Sequence, residues 1–225
     1  TSTFYMAHSH LQNKEYDAAI KQFRTLEERT SEMIKSKPLA EIVEKDFIGH
    51  ITLGEMYALA LWGQAYIWAD CDIRLLEALE LANNACEQAN KIDIKDLQFP
   101  ARYAHCKGWI LYKLDAAGES APAPYTGIDD ALRFLREAIA MEVRAEYYLH
   151  LALASGNKLS SLRYKSDIQR HMISIQEYCL RARNLSSNDV HINQQGDDLL
   201  KRLSPSIEVS LTLPATGRKN GVHKN

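Results

Sequence analysis

Residues Cys106 to Ala138 read CKGWILYKLDAAGESAPAPYTGIDDALRFLREA. Lys107-Gly108 and Leu111-Tyr112 belong to a run with helical spacing. Asp115 to Gly127 then breaks the pattern with Gly118, Pro122, Pro124 and Gly127, residues that end helices and build turns. Periodicity returns with Ala131, Leu135 and Ala138, three and four residues apart on one face of a second helix. The stretch therefore reads as a pair of helices pushed apart by an insertion.

Outward from this pair, the chain divides into similar units. Thr3 to Gln12 is read as a helix with Phe4, Ala7 and Leu11 on one face. After the turn Asn13-Lys14-Glu15, a second helix runs from Tyr16 to Lys35 with Tyr16, Ala19, Ile20, Phe23 and Leu26 in register. Pro38 opens an irregular segment, 36–51, in which Leu39 to Lys45 reads as a short helix off the register. Thr52 to Asp70 is a long, strongly apolar helix, and Asp70-Cys71-Asp72 is its break. Its partner, Arg74 to Asn90, carries a small-residue seam at Ala78, Ala82 and Ala85, and Asp93 to Gln98 is a polar connection. Pro100 suits the first turn of the helix that runs to about Leu114.

Downstream, Ile128 to Met141 takes Thr126 or Asp129 as its cap. Ala145 to Ser155 and Ser161 to Asn184 form a fourth pair, whose second member is in register only at Ile175, Cys179 and Ala182. Ser187-Asn188-Asp189 caps a last helix, Val190 to Leu203, with a polar face and a thin apolar seam, as expected of a terminal cap. Residues 204–225 read as a flexible tail, with weak strand-like alternation over Ile207 to Leu213.

The small and aromatic positions resemble those of the tetratricopeptide repeat (TPR) family. Ala7 with Tyr16, Ala19 and Phe23 follows the Y-x2-A-x3-F rhythm, Trp62-Gly63-x-x-Tyr66 is similar to the L-G-x2-Y core, and Leu151-Ala152 stands where Leu-Gly often does. Small residues let antiparallel helices approach closely, and the aromatic fills the hole between adjacent pairs. The resemblance covers residues 3 to 203 and departs from the period of about 34 residues at 36–51, at the loop 115–127 and at 156–166. It implies an all-α fold: a right-handed α-α superhelix of about four helix pairs plus a C-terminal capping helix, occupying 1–203.

The chain's 225 residues carry a net charge of −2, with 46% hydrophobic and 25% charged residues, so no bulk electrostatic force draws it to nucleic acid or an anionic membrane. No apolar run is long enough to span a membrane and no signal peptide opens the chain. The four cysteines lie far apart without metal-type spacing, which favours reduced thiols and a cytoplasmic setting. Phosphate-loop, GxSxG and HExxH motifs are lacking, and no cofactor is implied. His105 and Cys106 are adjacent on a helix, so they diverge by about 100° and make a poor chelate or dyad. Leu213-Pro214-Ala215-Thr216-Gly217 matches the LPxTG sorting signal, but Arg218-Lys219-Asn220 follows in place of an apolar span, and the match is read as coincidence.

In TPR arrays the first helices of successive pairs line a concave groove that accepts an extended peptide or a helix. Carried over by register, the resemblance places Tyr57, Gln64 and Trp68 of the second pair in that groove. Arg102, His105, Trp109, Tyr112 and Lys113 follow from the third pair, and Glu146 and Leu149 from the fourth. Aromatic anchors beside cations suit a peptide; the aromatics equally suit packing between helices. The Lys/Asn clamp that reads chaperone tails is missing, since Phe4 and His8 hold its first positions. The expected function is a non-enzymatic scaffold or adaptor binding a protein or peptide partner, and self-association into a homo-oligomer is compatible with it. The alternative is the sensing or oligomerisation part of a larger protein whose catalytic part lies elsewhere, motivated by a chain that opens at Thr1 rather than methionine.

Overall fold

A computed structural model describes residues 2–37, 52–91 and 98–212, with no side-chain description at 98 and 205–212. The short helix expected at Leu39 to Lys45, the connection at 93–97 and the 213–217 motif lie outside the described residues. Within them the chain is all-helical, without a strand. The helices are α1 (Ser2–Gln12), α2 (Tyr16–Ser36), α3 (Leu53–Asp70), α4 (Leu75–Lys91), α5 (Gln98–Ala116), α6 (Ile128–Met141), α7 (Ala145–Lys158), α8 (Lys165–Leu185) and α9 (Val190–Thr212). A single 3-10 turn, Leu159–Ser161, links α7 to α8.

Each helix packs on the next in sequence, and the odd-numbered helices also touch in succession: α1 on α3, α3 on α5, α5 on α7, α7 on α9. Two kinds of residue make this possible. Ala19, Ala78, Ala82, Ala85, Ala131 and Ala138 are fully buried and keep helix axes close. Phe23 on α2 is also fully buried, and its ring lies where a side chain on Gly63 of α3 would be: a Cβ there would meet Phe23 Cζ at 2.5 Å. Gly108 has the same role on α5, where a Cβ would stand 2.8 Å from Leu135 and 3.0 Å from the Ala131 carbonyl oxygen of α6.

Helix α3 is apolar on every side and is buried on nearly every side. Its start is held by a capping box: Thr52 Oγ1 accepts from Glu55 N at 3.0 Å, and the Glu55 carboxylate accepts from Thr52 N. Asp189 caps α9 by accepting from His191 N and Ile192 N at 3.0 and 3.1 Å.

Two readings of the sequence need correction. The strand-like alternation over Ile207 to Leu213 is overridden, because α9 continues unbroken to Thr212. The loop after α5 is largely exposed and is docked near its end. Tyr125 packs against Phe134 of α6 and donates to Asn83 Oδ1 of α4 at 2.9 Å, while Asn157 of α7 donates to Asp115 at 2.6 Å. Buried Lys107 extends beneath this loop, with Nζ 4.9 Å from the Tyr125 ring and 4.8 Å from that of Phe134, and donates to Tyr103 Oη at 2.8 Å. The N-cap of α6 is Gly127 at φ 77°, a conformation that glycine adopts without strain. Neither Thr126 nor Asp129 caps the helix; Thr126 instead donates to Asp130 from both N and Oγ1.

Candidate functional site

The odd-numbered helices converge on one cavity of about 930 Å³. Tyr16, at the start of α2, is the one helical lining residue from an even-numbered helix among the described residues. The remaining wall comes from α1, α3, α5, α7 and α9 and from the turn or cap residues Lys14, Asp72, Arg144 and Asp189.

The floor is a ladder of rings. His105 of α5 and His150 of α7 meet at 2.8 Å, Nε2 to Nδ1, and both are buried. His105 stacks on Tyr147 with centroids 4.1 Å apart, and His150 stacks on Trp109 at 3.5 Å. Tyr112 extends the ladder from Trp109 at 5.0 Å, and Tyr66 and Trp62 extend it from His105 onto α3. Burial depresses the His105 imidazole to about 3, with the Arg144 charge adding to it. Burial also holds His150 well below the ordinary range, followed by the charges of His105, Lys113 and Lys14. Both rings are neutral at pH 7, so one donates and the other accepts across the contact.

Charged groups stand around these rings. Lys113 pairs with Asp72 at 2.8 Å and lies 4.7 Å above Trp109. Arg144, at the N-cap of α7, pairs with Glu142 at 2.6 Å and lies over Tyr147. Arg102 lies over Trp62, whose Nε1 donates to the Arg102 carbonyl oxygen at 3.1 Å. Glu146 sits in the first turn of α7, where the helix dipole favours a carboxylate, and accepts from Tyr66 Oη. Burial raises the Glu146 carboxyl above its usual value against the pull of that hydrogen bond, and the Asp70 charge reinforces the rise.

Of the residues that sequence register places in a groove, Arg102, His105, Trp109, Tyr112, Lys113, Glu146 and Leu149 line this cavity together. Tyr57, Gln64 and Trp68 do not, which corrects the register on α3. Tyr57 packs against the core, Gln64 donates to Glu27 of α2 at 2.6 Å, and Trp68 lies beneath the guanidiniums of Arg24 and Arg74. The α3 residues that do reach the cavity are Trp62, Tyr66 and Asp70. They are offset from Gln64 and Trp68 by two residues, about 200° around the helix. The Trp62-Gly63-x-x-Tyr66 motif is the signal that could have located them. Sequence offered no such signal for His150, 45 positions from His105, or for the α1 and α9 walls.

Cys106 is fully buried and burial raises its thiol, so it is a protonated core residue. All four cysteines are free. Among the described residues no group of three His, Cys, Asp or Glu side chains could hold a metal ion, and no helix is long and apolar enough to cross a membrane. Comparisons with protein-family models, with curated proteins and with solved structures find no match.

Proposed function

We propose that this chain is a non-enzymatic interaction module. In this reading its helices form a TPR-like right-handed α-α superhelix, with four pairs and α9 as the cap, working in a cytoplasmic setting. The concave face takes an extended peptide or a helix from a partner protein. One observation carries the reading: among the described residues, alternate helices supply the wall of a single cavity, with aromatic rings on its floor and charges of both signs around them. Rigid rings provide contact area at low entropic cost, and the charges provide directional hydrogen bonds. Cys106 is a protonated core thiol, and the two histidines are neutral and bonded to each other, so the cavity holds no activated nucleophile or base among them.

Selection of a phage-displayed random dodecapeptide library on immobilised protein tests this. Enriched peptides should bind the wild type and lose at least about tenfold in affinity on Arg102→Glu and on Gln195→Trp, a partly buried cavity residue on α9. Far-UV circular dichroism should be unchanged in both variants. Peptides that bind wild type and both variants equally would remove the cavity from the proposal.

A further inference from the structure

We propose that the cavity reads a basic residue of its partner, holding a lysine or arginine side chain between Asp70 and Glu146; this rests on the groove reading above. The two carboxylates come from the end of α3 and the start of α7 and line the same cavity. Each is met by one tyrosine hydroxyl: Tyr16 donates to Asp70 Oδ2, and Tyr66 donates to Glu146 Oε1. Asp70 Oδ1 and Glu146 Oε2 are left for another donor. Both residues are partly buried, where an uncompensated negative charge is costly.

Two of the cavity's cations are committed elsewhere. Lys113 pairs with Asp72, and Arg144 with Glu142. Among the described residues no ion pair joins a cation to Asp70 or to Glu146. Lys14, exposed in the turn between α1 and α2, lines the cavity, and its charge reaches Glu146 without forming an ion pair. The surroundings suit an organic cation. Tyr66 lies between Trp62 and His105 beside Glu146, so the ring edges that border the acids give an alkyl stem apolar surface to cover. A metal ion fits poorly, since two carboxylates have no third ligand beside them.

A second observation concerns another residue that lines the same cavity. Trp109 is 4% exposed and its indole Nε1 has no acceptor. A buried donor without a partner costs free energy that an incoming carbonyl would recover. A peptide offers both groups: a basic side chain for the acidic niche and main-chain carbonyls for the neighbouring helix α5.

The test uses the peptides selected as above, measured by fluorescence anisotropy against wild type, Asp70→Asn and Glu146→Gln. Glutamine keeps the acceptor for Tyr66, so the fold should survive, which thermal melting checks. The enriched sequences should share a lysine or arginine. Replacing it with norleucine or citrulline should weaken binding about tenfold or more. The same replacement should have little further effect on Glu146→Gln, because the partner charge is already gone. Peptides that lose affinity on Gln195→Trp yet share no basic residue, or that bind Glu146→Gln as tightly as wild type, would overturn the basic-residue proposal and leave the groove standing. Failure to enrich any peptide that responds to Gln195→Trp would overturn both.

Discussion

Mild acid should destabilise this protein through His105 and His150. Free histidine titrates near 6.5, and in the fold burial brings His105 to about 3 and His150 well below its ordinary range. A depressed folded value means that the unfolded chain binds protons first. The stability contributed by the neutral rings is therefore complete above about pH 6.5 and is lost as pH falls, for His105 until about pH 3. At pH 5 the unfolded imidazole is favoured by about 1.5 pH units of protonation, or about 2 kcal/mol for His105, and His150 adds to the loss in the same direction. Against a typical total of roughly 5–15 kcal/mol, that is a large fraction. His8, also depressed by burial and then by Arg102 and Arg144, acts in the same direction. Glu146 opposes it, because a raised folded value makes the native state gain stability as that carboxyl protonates. Urea unfolding followed by circular dichroism from pH 7 to pH 5 should show the loss, with a net uptake of protons on unfolding. The double variant His105→Gln, His150→Asn retains side-chain nitrogen or oxygen near the contact and should flatten the slope, whatever its stability at pH 7. A wild-type profile flat between pH 7 and pH 5, or an unchanged slope in the double variant, would refute the reasoning.

Two further outcomes follow from packing. Gly108→Ala should cost about 1–3 kcal/mol, because its Cβ would stand 3.0 Å from the Ala131 carbonyl oxygen, while Gly196→Ala on α9 should be neutral or add up to about 1 kcal/mol, since its nearest neighbour would be Cys179 Cβ at 3.8 Å; thermal melts compare the two. Tyr125→Ala should make the 117–127 loop a site of rapid limited proteolysis with the helical spectrum retained, because it removes both the Asn83 hydrogen bond and the ring above Lys107.

Much of the helix plan is legible in the sequence, because small residues at three- and four-residue spacing constrain which faces can meet. Ala131, Leu135 and Ala138 are buried as their spacing requires, and Ala78, Ala82 and Ala85 likewise. The α5 stripe was readable for a related reason. Ala101, Ala104 and Gly108 occupy one side of that helix, so Arg102, His105, Trp109 and Lys113 fall to another. Helix α3 carries no such contrast. Apolar on all sides, it has no periodic difference to say which face meets the cavity, and register chose Gln64 and Trp68 where tertiary packing presents Trp62, Tyr66 and Asp70. For the loop, composition reports turn propensity and is blind to the tyrosine that docks it.

In the Cys106–Ala138 stretch the division is plain. Local chemistry alone determined two helices and the break between them, since these depend on near neighbours in the chain. Tertiary structure decided that His105 meets His150, that Tyr125 reaches Asn83, and that Asp70 and Glu146 line one cavity. Such pairings join residues 42 to 76 positions apart across helices whose relative placement is set by summed packing along the whole array. No local pattern encodes that sum.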